Sequence, residues 1–148
     1  MAIGIPAAQL AALRKGPAAK PRKPIDTSAV DLLAFHVKAQ RLPTPDREYR
    51  FAAMAVGGTG AGVKERLRKA RLRDWRFDFA WPDQMVALEM DGGGFVGGRH
   101  GTGPGIEKDC EKYSNAAAMG WRLLRVTPRQ VKSGQAVDWI GKALEIRS

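Results

Sequence analysis

Residues 75–91, WRFDFAWPDQMVALEMD, alternate apolar and polar side chains on both sides of a central turn sequence. In the first half, Trp75, Phe77 and Phe79 take every second position, which is the pattern of a strand with one apolar face. Pro82 sets the backbone angle that the second position of a turn requires, and the alternation then resumes. The pattern predicts a β-hairpin that carries acidic residues on one face.

The predicted turn determines which side chains meet across the hairpin. A four-residue turn pairs Ala80 with Met85. In that register Asp78 lies diagonal to Glu89, at a distance of about 7–8 Å, and Asp91 lies on the same face. Like charges gathered in this way either raise a pKa or require a cation between them.

The periodicity of apolar residues on both sides of the hairpin predicts the remaining elements of the chain. The order is αβββαβ followed by a C-terminal helix, which predicts an α/β fold with a mixed central sheet flanked by helices. The predicted elements beside the hairpin are a helix over 28–40, a strand over 47–53, a helix or ordered loop over 63–73, a helix over 106–119, a strand over 121–127 and a helix over 135–146.

The helix over 106–119 has an apolar stripe at helical spacing. The stripe consists of Ile106, Cys110, Tyr113 and Ala117, so Cys110 is expected to be a core thiol. A single cysteine excludes an intramolecular disulfide and fits a reducing cytoplasm.

Two glycine-rich segments interrupt the pattern. GGTGAG, residues 57–62, is expected to be a flexible break, and residues 91–105 are expected to be a long loop. That loop contains GxGxxG at residues 92–97, but no helix opens there, and Glu89 and Asp91 would repel a pyrophosphate. The chain has no GxxxxGK[ST] motif either, so no nucleotide cofactor is expected.

Length and charge narrow the class of protein. At 148 residues the chain is expected to contain one domain large enough to bury a core. A net charge of +10 and a pI near 10.3 indicate that the partner is nucleic acid. The alternative is that the charge only keeps the protein soluble. No apolar run approaches the ~20 residues of a membrane span, and the first residues lack the order of a secretory signal, so no membrane partner is expected.

Basic residues concentrate in two segments. Residues 1–24 contain no acid and are interpreted as a flexible arm, either solvated or touching DNA, outside a domain over 25–148. In residues 63–73, six cations beside a single acid repel one another without an anionic partner. The expected DNA-binding residues are Lys20, Arg22, Lys23, Lys64, Arg66, Arg68, Lys69, Arg71, Arg73 and, in the glycine-rich loop, Arg99.

An ion-pair interpretation of the acidic face competes with a metal site. The predicted register puts Arg76 opposite Glu89, and exposed pairs of that kind are common and contribute little. Three acids beside a glycine-rich loop in a basic protein favour a metal site. The only two histidines, His36 and His100, do not have zinc-site spacing.

The order αβββαβ, with an acid on the second strand and E-x-(acid or Lys) on the third, resembles the PD-(D/E)XK nuclease superfamily. The matching residues are Asp78 and the run Glu89-Met90-Asp91. The run DFAWPDQMVALEMDGG, followed by GGRH, DCEKY and GWRLLRVT, is similar to small nucleases of bacteriophages and prophages and to very-short-patch-repair-like endonucleases. The resemblance covers residues 28–147.

The resemblance implies a restriction-endonuclease-like core with a Mg²⁺ site, in which Mn²⁺ is a plausible substitute. Asp78, Glu89 and the backbone carbonyl of Met90 would hold the ion. Mg²⁺ takes oxygen ligands and keeps several waters, so two carboxylates and a carbonyl suffice.

The sequence departs from the superfamily pattern at one position. Asp91 stands where lysine is most common, and an acid can act as ligand or base but cannot supply positive charge. Lys112 is the first candidate for a migrated replacement and His100 the second. An ion pair with Asp109 is the alternative role of Lys112. The additional acid found near the first helix of many members has two candidates here, Glu48 and Asp31.

The expected function is a Mg²⁺-dependent DNA endonuclease. Structure-selective cutting of branched DNA, including Holliday junctions, in phage recombination, replication or repair is the first expectation, and it suits a homodimer in the bacterial cytoplasm. The alternatives are a nicking or mismatch-directed repair endonuclease and a catalytically inactive DNA-binding protein of the same fold. The candidate catalytic residues are Asp78, Glu89, Asp91, Lys112, Glu48 and His100.

Overall fold

The protein folds as a four-stranded mixed sheet between two layers of helices. The computed structural model describes residues 27–92 and 103–145. Its architecture confirms the predicted α/β class, with the mixed sheet, the flanking helices and a C-terminal helix. The helices are α1 (Thr27–Ala39), α2 (Phe51–Ala55), α3 (Val63–Lys69), α4 (Gly103–Ala118), α5 (Pro128–Lys132) and α6 (Gln135–Glu145), and the strands are β1 (Asp46–Tyr49), β2 (Phe77–Trp81), β3 (Val86–Met90) and β4 (Arg122–Val126).

The strands lie in the order β1-β2-β3-β4. The first two neighbouring pairs are antiparallel, whereas β3 and β4 are parallel and have α4 between them in the chain. The parallel register makes Arg125 the Cα partner of Glu89. Within the described ranges, no helix has the length and apolarity needed to cross a membrane.

One face of the sheet is covered by α1, α5 and α6. Leu33 of α1, Val131 of α5 and Ile140 of α6 are fully buried against strand side chains, and burial of each such side chain contributes about 1.5–3 kcal/mol. The short helix α5 was not predicted from the sequence. It begins at a capping box, in which the side chains of Thr127 and Gln130 accept each other's backbone N–H.

The other face carries α2, α3 and α4 over a cluster built around aromatic rings. Phe77 is fully buried at its centre, stacked on Phe51 with ring centroids 4.1 Å apart and edge-on to Trp121 at 5.1 Å. Leu67 of α3 and Ala116 of α4 pack into the same cluster. Because alanine is small, polar side chains next to Ala116 on α4 come close to the sheet.

The hairpin turn has the predicted length of four residues but lies one residue further along the chain, at residues 82–85. Residues 82–84 form a 3₁₀ turn, and Met85 takes a left-handed conformation with φ of 54°. The predicted pairing of Ala80 with Met85 is therefore wrong by two residues. The observed pairs are Trp81 with Val86, Ala80 with Ala87 and Phe79 with Leu88.

The prediction of a single apolar face on β2 is also wrong. Phe79 packs in the cluster under α1, α5 and α6, whereas Phe77 packs in the cluster under α2, α3 and α4. The ladder between β2 and β3 ends at Phe79. Beyond that point the Asp78 carboxylate, in place of a backbone carbonyl, accepts the N–H of Met90. At this contact the side chains of β2 stop alternating between the two faces of the sheet.

The first strand is shorter than the predicted range of 47–53. It ends at Tyr49, and the following residues form the short helix α2. Phe51, Ala52 and Ala53 are all buried. Three consecutive buried residues fit a helix packed under the sheet better than a strand whose side chains alternate between faces.

The predicted buried stripe of α4 is wrong, and the expected core thiol is exposed. The helix instead turns Lys112 and Ala116 towards the sheet, because β3 presents the Glu89 carboxylate at that point rather than an apolar surface. The three predicted stripe residues that face solvent are Ile106, Cys110 and Ala117.

The glycine-rich segment of residues 57–62 is an ordered turn rather than a flexible break. The Arg66 guanidinium donates hydrogen bonds to the carbonyl oxygens of Val56, Gly58 and Ala61 at 2.8, 2.9 and 2.6 Å. One arginine thus satisfies three backbone acceptors and connects the end of α2 to α3.

Arg66→Met should lower the free energy of unfolding by about 1–3 kcal/mol, because three backbone carbonyls lose a charged donor. Arg68→Met is the matched control. Arg68 is exposed and pairs with Glu65 on the same helix, so its replacement should cost about 0–1 kcal/mol. Urea unfolding followed by circular dichroism measures both changes. Equal losses for the two variants would show that Arg66 does not organise the turn.

Candidate active site

The two acids predicted to bind metal lie where β2 begins and β3 ends. The observed ladder ends at the pair Phe79–Leu88, one residue before Asp78 and Glu89, and the charge of Asp78 acts on the Glu89 carboxyl group. The Oδ2 atom of Asp78 accepts the N–H of Met90 at 2.7 Å. This hydrogen bond fixes the carboxylate against β3 and leaves Oδ1 without a hydrogen-bond donor among the described residues.

The backbone carbonyl of Met90 lies on the side of β3 that faces Asp78. In a strand the N–H and C=O of one residue point to the same side, and the N–H of Met90 points to Asp78. Asp78 and Met90 are therefore in contact at one end of the hairpin, and Asp78 lies near enough to Glu89 to raise its pKa. Within residues 27–92 and 103–145, no group of three or more His, Cys, Asp or Glu side chains is arranged to hold a metal.

The Glu89 carboxylate is nearly buried. Its side chain is only 13% exposed, and its Oε1 accepts a hydrogen bond from the Nζ of Lys112 at 2.6 Å. Burial, opposed by the Lys112 ammonium and reinforced by the charges of Asp78 and Asp91, raises the pKa of Glu89 to about 7. The gathered acids do raise this pKa, as the sequence predicted, but burial contributes more.

Lys112 reaches the candidate site from α4. Its side chain is 17% exposed, and its Nζ lies 5.9 Å from the ring centroid of Phe77 and 5.7 Å from that of Tyr113. Lys112 pairs with Glu89 rather than with the alternative partner Asp109. Two aromatic rings and one carboxylate therefore hold a positive charge beside the predicted ligands.

Asp91 is paired with an arginine that was not among the predicted site residues. The Nε and Nη2 atoms of Arg125 donate to the two carboxylate oxygens of Asp91, both at 3.0 Å, and the guanidinium lies 4.7 Å from the ring centroid of Tyr113. Burial, with the charge of Glu89 adding to it, raises the pKa of Tyr113 to about 12, so the phenol keeps its proton. Only the parallel register of β3 and β4 reveals Arg125 as a neighbour of Glu89.

Neither candidate for the additional acid bonds to the site residues in the described part of the chain. Asp31 is exposed on α1, which covers the opposite face of the sheet. Glu48 is exposed on β1 and lies 3.8 Å from Arg76. The predicted ion pair between Arg76 and Glu89 is therefore wrong, because Glu89 is paired with Lys112.

Some cations of the predicted basic patch form contacts within the protein, and the others are exposed to solvent. Arg66 is bound to the turn carbonyls, Arg68 pairs with Glu65, and Arg73 lies 3.2 Å from Glu111. The patch thus offers fewer free cations to a partner than its composition indicates. The other predicted cations of the patch, all exposed, are Lys64, Lys69 and Arg71. The predicted site residues outside the described ranges are Lys20, Arg22, Lys23, Arg99 and His100.

Glu89 should titrate near pH 7 in the metal-free protein, because its buried carboxyl group resists ionisation. Lys112→Met should move the midpoint higher, because the ammonium that favours the carboxylate is lost. NMR titration of the side-chain carboxyl carbon measures both values. A midpoint near the ordinary value of 4.5 in the unaltered protein would contradict the effect of burial.

The raised pKa also makes stability depend on pH. The pKa of Glu89 in the folded chain exceeds its ordinary value of 4.5. Its contribution to stability is therefore fully present below about pH 4.5 and is lost as the pH rises through about 7. Glu89→Gln should remove this loss from a plot of melting temperature against pH. Glu111→Gln, a partly exposed acid on α4, is the control, and a matching change in its plot would contradict the assignment to Glu89.

Comparison with known proteins provides no relative from which a role could be transferred. No family model, curated protein or solved structure matches the chain. The functional assignment therefore rests on the geometry of Asp78, Glu89 and Lys112 in this protein.

Proposed function

We propose that the protein is a Mg²⁺-dependent DNA endonuclease that selects branched DNA such as a Holliday junction. The observation that carries the proposal is the nearly buried Glu89 carboxylate, which is bonded to Lys112 at 2.6 Å and feels the charge of Asp78. A carboxylate withdrawn from water requires positive charge nearby. In a protein with a net charge of +10, such a cluster supports a metal site that acts on nucleic acid.

The residues of the cluster fit a magnesium ion. Asp78, Glu89 and the carbonyl of Met90 are hard oxygen donors at one end of the hairpin, and Mg²⁺ commonly binds through one or two carboxylates while keeping several waters. When bound there, the ion would lower the pKa of a water and stabilise charge on phosphoryl oxygens. Lys112, with its Nζ 2.6 Å from Glu89 Oε1, would supply the positive charge that Asp91 cannot supply.

Exposed cations of α3 support contact with the DNA backbone. Lys64 and Lys69 are exposed on α3, and Arg71 is exposed just after it. Helices α3 and α4 cover the same face of the sheet, so phosphates bound along α3 would approach the face that carries Glu89. Phosphate contacts contain no sequence information, which fits selection by DNA structure rather than by sequence.

A catalytically inactive DNA-binding protein of the same fold is the second candidate. The observation that favours it is the pairing within the cluster, because Lys112 neutralises Glu89 and Arg125 neutralises Asp91. Such pairs can be purely structural. A nicking or mismatch-directed repair endonuclease is the alternative among enzymes and differs in the DNA that it cuts.

Cleavage assays with labelled DNA separate these functions. A four-way junction, a matching linear duplex, a mismatched duplex and a single strand are each incubated with Mg²⁺ or with EDTA. The proposal expects metal-dependent cutting of the junction in preference to the other substrates. Preferential nicking of the mismatched duplex would favour the repair enzyme, and binding without cleavage of any substrate would favour the inactive protein.

Glu89→Ala should slow junction cleavage by about 10³-fold or more, because several kcal/mol of metal-dependent stabilisation would be lost. Binding of the junction in EDTA should change by less than about threefold. Asp83→Asn, an exposed acid in the turn of the same hairpin, is the control and should cut at the unaltered rate. Equal loss of cutting and binding in Glu89→Ala would mean that this acid only maintains the fold.

Lys112→Met should slow cleavage by about 10²-fold, because a preorganised charge at the site is lost. Lys108→Met removes an exposed lysine one turn earlier on α4 and should have no effect. Single-turnover rates and binding in EDTA are measured for both variants. A near-normal rate for Lys112→Met would exclude it as the replacement for the motif lysine and direct attention to His100.

A further inference from the structure

Arg125 is held in one orientation at the edge of the candidate site. Its strand position makes it the direct neighbour of Glu89 across the parallel pair β3–β4. Two of its five N–H groups donate to Asp91, both at 3.0 Å, while its flat face lies 4.7 Å from the ring centroid of Tyr113. The carboxylate and the ring together restrict the direction in which the guanidinium points.

The remaining edge of this guanidinium is open. Arginine carries five N–H groups, so the two bonds to Asp91 leave three that have no acceptor among the described residues. The Arg125 side chain is 46% exposed, which makes this edge accessible to an anion. Guanidinium N–H groups match the oxygen spacing of phosphate and bind it in a bidentate manner.

A plain surface ion pair does not account for all of these contacts. Exposed pairs contribute about 0–1 kcal/mol and allow the long side chains to move. Here Asp91 follows the end of β3, two residues after Glu89, and Tyr113 follows Lys112 on α4. Every residue that holds Arg125 therefore adjoins a residue of the candidate active site. The side chain is thus restricted next to the residues proposed to act on a DNA phosphate.

We propose that Arg125 forms a phosphodiester-binding site next to Glu89 and that Asp91 is the positioning residue that orients it. This inference rests on the proposed DNA-cleaving function and assigns a role to the acid that stands at the motif lysine position. Asp91 acts through Arg125 rather than as a metal ligand. Tyr113 supports the guanidinium face, and its neutral phenol adds no charge that would repel the DNA strand.

Salt-dependent DNA binding tests the phosphate contact without requiring cleavage. The affinity for a fluorescent four-way junction is measured by anisotropy in EDTA over a range of salt concentrations. Arg125→Met should reduce the slope of log K against log salt by about 0.9, the value expected for one lost phosphate contact. Arg129→Met is the control, because Arg129 is exposed on α5, which covers the opposite face of the sheet. Equal slopes for the two variants would overturn the phosphate role of Arg125.

Conservative variants test the positioning role of Asp91. Arg125→Lys should keep the salt slope, because the charge remains, but cut about tenfold more slowly, because lysine lacks the bidentate geometry. Asp91→Asn should slow cutting to a similar degree while changing Mg²⁺ affinity, measured by calorimetry on the free protein, by less than about threefold. A tenfold or greater loss of Mg²⁺ affinity in Asp91→Asn would identify a metal ligand and overturn the positioning role.

Failure of the endonuclease proposal gives a different result from failure of this one. If no DNA substrate is cut, the slopes of Arg125→Met and Arg129→Met still decide whether Arg125 binds phosphate. If the junction is cut but the slopes agree, the endonuclease proposal stands and the phosphate site does not.

Discussion

A carboxylate with little access to water needs a cation beside it, and in this fold that requirement determines how α4 meets the sheet. Glu89 is fixed in β3 between two paired strands, so it cannot move to solvent. Leaving it unpaired would cost several kcal/mol. Helix α4 therefore turns Lys112 inward instead of its apolar stripe, and this rotation exposes Cys110 and places Tyr113 under Arg125.

Three alanines at the centre of one face of the sheet make room for the polar cluster. The face under α1, α5 and α6 is filled by large apolar residues of the strands. On the other face, Ala80 and Ala87 lie opposite each other at the centre of the sheet. Ala116 is the small residue of α4 that packs with them. These small side chains allow α4 to approach closely enough for the Lys112 ammonium to reach Glu89.

The sequence was sufficient for the order of the main elements and for placing Asp78 and Glu89 near each other on the hairpin, because both follow from periodicity along single segments. It was insufficient for the hairpin register, because a left-handed Met85 has no sequence signal comparable to that of glycine. The sequence also did not predict the roles of Arg66 and Arg125. Their partners are backbone carbonyls and a residue of a parallel strand, which only the folded chain brings together.

Among the described side chains of α4, only Ala116 is fully buried. The helix that carries Lys112 is thus attached to the sheet largely through polar and aromatic contacts rather than through a deep apolar core. Local opening of such an element requires less free energy than global unfolding, and its backbone amides exchange with solvent sooner. Opening of α4 alone would therefore take the site apart without unfolding the domain, and an anion or a cation that binds the site would slow hydrogen exchange in α4 first.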